Sequence, residues 1–267
     1  MEIVLVRHAE SIWNAENRWQ GQTDVPLSDR GREEARRLGA RLSAMSFDRR
    51  LCSDLSRARD TAAAIGGEIE FDRALREMDL GSWGGLLHSE VRERHPEQVA
   101  AMIAGAPMRI GGGESIPELE KRAQDTLARI VRTSRPGDRV LVVTHGGVIR
   151  ALLMSLLGAR ARRPLIGATN TSITHLRVDA RGGIALAAYN CSAHLDPREG
   201  EDDDELASGA PDEVIRRTIA HLGLASSAAD RFCAPPAGTI TRLARGSEPA
   251  LRAFAIPALS EPISRPA

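Results

Sequence analysis

The chain has 267 residues, room for one large α/β domain or a domain with an appendage, and its charges balance to zero. With 42% hydrophobic and 27% charged residues, nothing in the totals favours nucleic acid or an anionic membrane surface as a partner. No apolar run reaches transmembrane length, and Cys52, Cys191 and Cys233 form neither a disulfide framework nor a zinc-ligand spacing, which makes a reducing cytoplasm the expected setting.

The first predicted element is a buried strand, Ile3-Val4-Leu5-Val6, which runs directly into Arg7-His8. The fold-like sequence begins at residue 2, which leaves no room for a signal peptide. Between Ser28 and Met45, the spacing of Ala35, Leu38, Leu42 and Met45 predicts a helix, with Ser28 or Asp29 as its cap. A short strand around Arg50–Cys52 follows, then a helix from the SDLSRARDTA stretch to a glycine pair. A weak strand is expected at 68–71, an irregular stretch over LREMDLGSWGG, and helices near 88–104 and 115–134. The run Val140-Leu141-Val142-Val143 is the second clear buried strand. It ends at Thr144-His145, and a helix is expected from Val148 to Leu157. Two runs, 172–178 and 184–189, read as a β-hairpin.

This alternation predicts a three-layer α/β/α domain with a mostly parallel central sheet, spanning 1–195. Ligands of such sheets bind beyond the carboxyl ends of the strands, where both His8 and His145 fall. The acidic, Gly/Pro-containing stretch 196–213 reads as a solvated linker. Beyond it, 214–267 reads as a C-terminal helix and hairpin appendage. Its Val214-Ile215-Arg216 matches Val148-Ile149-Arg150, which reads either as a partial repeat of 148–195 or as chance similarity between two Ala/Arg/Leu-rich tracts; in both cases it has no counterpart of either histidine.

Five phrases occur once each and in order: RHAES-x-WN-x₃-RWQGQTDVPLSDRG, SDLSRARDTA, LREMDLGSWGG, GGGES and VVTHGGVIRALL. Together they resemble the histidine phosphatase superfamily, with its phosphoglycerate-mutase-like fold, over nearly three quarters of the chain. The resemblance implies that His8 is a nucleophile passing through phosphohistidine, and that Arg7 and Arg57 clamp the phosphoryl oxygens. It implies that His145 donates to a phosphoryl oxygen, being protonated while the pocket holds a dianion, and that Glu77 is the proton donor. It assigns Asn14, Gln20, Gly21, Thr23 and Gly146 to the phosphate pocket, and Arg18, Glu114 and Ser115 to the substrate mouth. No metal and no cofactor are expected; the partner is a small phosphomonoester, with homodimerisation open and no role for nucleic acid or membrane.

Each residue has a plainer alternative. Arg7 or Arg57 can be a surface ion-pair partner, Glu77 can pair with Arg76, His145 can cap the next helix, and Ser115 can do the same for the helix at 116. Ala9 stands where the family usually has Gly, which is tolerable if that backbone does not need a positive φ. Three activities remain: a metal-independent phosphomonoesterase, a cofactor-dependent phosphoglycerate mutase, and a non-catalytic phosphate-binding module. The mutases of the family carry a longer Lys- and Arg-bearing insertion after the acidic motif, which is missing from GSWGGLLHSEVRERHPE; Arg92, Arg94 and Arg109 are the nearby cations that could still meet a carboxylate.

Overall fold

A computed structural model describes residues 1–104, 106–157 and 167–195. Six strands form one sheet: β1 (Glu2–Arg7), β2 (Arg49–Cys52), β3 (Glu70–Phe71), β4 (Arg139–Thr144), β5 (Ile173–Val178) and β6 (Ile184–Cys191). Their order across the sheet is β3-β2-β4-β1-β5-β6. The first four are mutually parallel, and β5 and β6 add an antiparallel edge beside β1. The predicted hairpin is this edge.

The central strands β1 and β4 alternate their buried side chains between two cores, as the period-2 geometry of a strand requires. Val4, Val6, Leu141 and Val143 face Leu38 and Leu42 of helix α2 (Asp29–Leu42) and Ala58 and Ala62 of helix α3 (Ser56–Ile65). Ile3, Leu5, Val140 and Val142 face the opposite side, with Leu119, Leu127 and Ile130 of the helix Ile116–Thr133 and Ile149 and Leu153 of the helix Gly146–Leu157. Unbroken apolar runs are what a sheet covered on both faces demands.

One short helix, α1 (Ile12–Ala15), had no expectation from periodicity because it is a single capped turn. The expected segment 88–104 is two helices, α4 (His88–Arg94) and α5 (Pro96–Ala104). The break falls where Pro96 pushes His95 off helical geometry, to φ −133° and ψ 47°. The remaining helices are α6 (Ile116–Thr133) and α7 (Gly146–Leu157). Among the described residues, no helix is long and apolar enough to cross a membrane. The linker at 196–213 and the appendage at 214–267 lie outside the described residues.

Candidate active site

Register places the two histidines. Arg7 pairs with Thr144 at the carboxyl ends of parallel β1 and β4, so the next residues, His8 and His145, leave the sheet side by side. The His8 backbone N–H donates to the Thr144 carbonyl at 2.9 Å, and the ring centroids are 5.0 Å apart at 60°. Both imidazoles are buried.

His8 Nδ1 lies 2.7 Å from the Ala9 carbonyl oxygen. A carbonyl can only accept, so Nδ1 carries the proton and the neutral ring keeps its lone pair on Nε2. Burial and the neighbouring Arg57 and Arg7 charges hold the His8 imidazole well below the usual histidine range, against a smaller opposing effect from the Ala9 hydrogen bond. The ring is therefore neutral at neutral pH, with Nε2 unprotonated. The carbonyl of His8 is held by the Asn170 amide at 3.0 Å and the Thr171 N–H at 3.3 Å. The turn that follows is held by Thr61, whose hydroxyl accepts from the Ala9 N–H at 2.9 Å and donates to the Arg57 carbonyl at 2.7 Å.

Ala9 is fully buried with Leu27 and Ala35. Among the described residues, the non-glycine positions with positive φ are Asn17, Thr171 and Asn190. The Ala9 methyl therefore sits in an ordinary backbone conformation and contributes a contact to the turn.

Two guanidinium groups flank the imidazoles. Arg57, in the first turn of α3, is fully buried and donates to the carbonyls of Thr23 and Gly21, both at 2.8 Å. Gly21 has φ +52°, a left-handed conformation that suits glycine, and this aims its carbonyl at Arg57. Arg7 donates to the Ala168 carbonyl at 2.6 Å, and a Cβ on Gly146 would come within 3.4 Å of Arg7 Nε. Burial lowers both arginines, Arg57 to about 10, against the opposing charge of Glu77, so both stay cationic at neutral pH. Arg7 Nε and Arg57 Nε are buried donors without an acceptor among the described residues, the kind of group an anion satisfies.

His145 Nε2 is 2.8 Å from the Ser53 hydroxyl at the end of β2, and its Nδ1 is buried without a partner among the described residues. Burial, then Arg57, His8 and Arg7, push this imidazole well below the usual histidine range. A bound phosphoryl dianion opposes the two guanidinium charges and favours the imidazolium.

Glu77 does not pair with Arg76, whose guanidinium makes a bidentate bond to Asp54 at 2.6 and 2.6 Å. Its carboxylate instead accepts from the Met78 N–H at 2.8 Å and the Gly147 N–H at 3.0 Å, two residues after His145. Gly147 is required by this approach, since a Cβ there would lie 2.1 Å from Glu77 Oε1.

The other expected positions divide. Asn14 Oδ1 closes a capping box with Ser11 and lies 3.3 Å from the Asn170 amide that holds His8. Gln20 is buried, with Oε1 2.7 Å from the Ser11 hydroxyl. Arg18 donates to Glu16 at 2.7 Å and to the Gly85 carbonyl at 2.8 Å. Ser115 is the N-cap of α6, in a capping box with Glu118. Glu114 binds Arg122 through both oxygens, at 2.9 and 2.7 Å. Arg109 pairs with Glu118 and Arg94 with Glu90.

Ser53, Thr61, Arg122, Asn170 and Thr171 were missed by sequence reasoning. The strand-end rule that selects His8 and His145 also selects Ser53, and the polar run ATNTS before β5 was the available signal for Asn170 and Thr171.

A family model described as histidine phosphatase superfamily (branch 1) matches residues 3–192. The chain is 41% identical over 206 residues to phosphoglycerate mutase-like protein 4 of Arabidopsis thaliana, covering 73% of this chain and 87% of that protein. It is 38% identical over 184 residues to the metal-independent phosphoserine phosphatase of the same plant, covering 66% and 76% respectively. Among solved structures, a mycobacterial glucosyl-3-phosphoglycerate phosphatase superposes with a TM-score of 0.65 at 32% identity, covering 71% of this chain and 98% of that one.

Proposed function

The chain belongs to the histidine phosphatase superfamily, and on that premise we propose that it is a metal-independent phosphomonoesterase that passes through phosphohistidine on a small phosphorylated metabolite. The observation that carries this reading is the His8 tautomer: the Nδ1–H bond to the Ala9 carbonyl leaves Nε2 as the lone-pair nitrogen, beside the fully buried guanidinium of Arg57 and the half-buried one of Arg7.

In the first half-reaction, His8 Nε2 attacks phosphorus. The N–P bond forms as the P–O bond to the leaving group breaks, and Glu77 gives its proton to the departing oxygen. Arg7, Arg57 and protonated His145 neutralise the phosphoryl oxygens as charge shifts onto them; permanently charged, planar donors serve this purpose without a metal. In the second half-reaction, Glu77 takes a proton from water and the water oxygen attacks phosphorus. The N–P bond breaks, phosphate leaves, and neutral His8 and protonated Glu77 are restored.

Hydrolysis is favoured over mutase chemistry by the stretch after the acidic motif. Between Trp83 and Ile116 the described residues form only α4, α5 and one 3₁₀ turn, and the arginines Arg94 and Arg109 there are held by their own glutamates. The deciding experiment supplies phosphoserine, glucosyl-3-phosphoglycerate, and 3-phosphoglycerate primed with 2,3-bisphosphoglycerate, following both inorganic phosphate and positional isomers. Net phosphate release with no isomer supports the phosphatase. Isomerisation without release assigns the mutase instead, and no turnover of any monoester removes catalysis from the reading.

A further inference from the structure

Glu77 lies on a segment without regular secondary structure, just after the 3₁₀ turn Arg73–Leu75. The carbonyls of such a segment lack ladder partners and must be satisfied otherwise. Four consecutive ones are satisfied by side chains. Arg122 of α6 donates to Ala74 O at 2.9 Å, Arg76 O at 2.7 Å and Glu77 O at 3.3 Å, and Thr144 donates to Leu75 O at 2.7 Å. Gln22 adds a second donor to Glu77 O at 3.2 Å.

The two remaining N–H groups of Arg122 go to Glu114, at 2.9 and 2.7 Å, so all five of its donors have an acceptor. Glu114 is itself fastened to the same segment. Its N–H donates to Asp79 O at 2.7 Å, and its carboxylate lies 3.3 Å from Asp79 N. This close approach requires Gly113, where a Cβ would stand 2.4 Å from Asp79 O. The pair is largely shielded, with side-chain exposures of 21% for Arg122 and 14% for Glu114, so solvent competes weakly for these bonds.

We propose that Arg122, locked by Glu114, is the positioning residue for the Glu77 proton donor, acting through the backbone of residues 74–77. The GES motif then serves proton transfer from behind, by holding the arginine that holds the acid's segment. A lysine could offer one of these carbonyls an ammonium but could not span three of them while bridging a carboxylate.

This inference rests on Glu77 being the proton donor, and the test separates the two claims by leaving group. The kcat/KM reports steps through departure of the leaving oxygen, which needs a proton when it is an alkoxide and little help when it is p-nitrophenolate. Arg122→Lys and Glu114→Gln are compared with Glu77→Gln on an alkyl phosphate such as phosphoserine and on p-nitrophenyl phosphate. In both positioning variants, kcat/KM on the alkyl ester is expected to fall about ten- to a hundredfold, with less than about a threefold fall on the aryl ester. The double variant Arg122→Lys/Glu77→Gln should lose no more than Glu77→Gln alone. Equal losses on both esters, no loss, or additive losses in the double variant overturn the proposal, provided Glu77→Gln is selective. If Glu77→Gln itself loses both esters equally, Glu77 is not the acid and both claims fall. Glu114→Gln preserves shape and breaks the lock from the opposite side, so it carries the test if Arg122→Lys does not fold.

Discussion

The two halves of the site are built in different ways. The phosphate cradle stands on regular structure: Arg7 and His8 at the end of β1, Ser53 at the end of β2, His145 at the end of β4, and Arg57 in the first turn of α3. The acid stands on an irregular segment whose shape comes from Arg122, Thr144, Gln22 and the backbone of Gly147. Strand register fixes the first half through many cooperative hydrogen bonds. A few side chains reaching from other elements fix the second. The cradle should therefore fail through loss of charge or a donor, and the acid through small displacements.

The largest expected effect is on the cradle. Arg57→Ala removes the proposed phosphoryl clamp and leaves the Gly21 and Thr23 carbonyls without their donor. Its kcat/KM should fall about 10²- to 10³-fold on alkyl and aryl esters alike. Stability, measured by urea unfolding, should fall by about 2–4 kcal/mol. A selective loss on alkyl esters would break the distinction between the two halves.

The acid half is probed next by Gly147→Ala, whose methyl would collide with Glu77 Oε1. Steady-state kinetics should show about a ten- to hundredfold loss on alkyl esters, with p-nitrophenyl phosphate nearly spared. A cradle built on strand register should be unmoved by that methyl, so equal loss on both esters would show the halves to be one unit.

The pH dependence of stability sharpens the contrast further. His8 and His145 are both held below the ordinary 6.5 in the folded protein. Below that pH the unfolded chain binds more protons, so stability is full above about 6.5 and falls as pH drops toward the folded values. Each imidazole contributes a slope approaching 1.4 kcal/mol per pH unit in that window. His194, lowered to about 4 by burial and by Arg41 and Arg37, adds the same sign outside the site. Thermal melts of wild type and His145→Gln from pH 7 to 5 should show a shallower slope in the variant. Saturating phosphate should also flatten the wild-type slope, because the dianion favours imidazolium.

How much of this was legible follows the same division. The apolar runs before Arg7-His8 and Thr144-His145 mark two buried parallel strands by composition alone, and the strand-end rule then points to the site. Arg57 and Glu77 came from ordered motifs. Glu114 and Ser115 show the limit: their match to the family's GES motif implied the substrate mouth, with Ser115 also read as the cap of the next helix; the structure bears out the cap and engages Glu114 with Arg122. Arg122 sits among the charged residues of an amphipathic helix, and nothing in its period separates a buried clamp from a solvated arginine. Only the tertiary approach of α6 to residues 74–77 does so.

The smallest effect is expected at Ala9. Its methyl packs against Leu27 and Ala35 in a turn that needs no positive φ. Ala9→Gly should cost about 1 kcal/mol in unfolding and change kcat/KM by less than about threefold. A large rise in activity would mean that the methyl displaces the nucleophile.

The central claim is that His8 Nε2 carries the phosphoryl group between substrate and water. Mixing the enzyme with a ³²P-labelled monoester, quenching in alkali within milliseconds, and mapping the label by peptide mass spectrometry tests it directly. An acid-labile, alkali-stable phosphoryl group is expected on His8, appearing before free phosphate and absent in His8→Ala. Full phosphate release by His8→Ala, or label on another residue at the same rate, would contradict it.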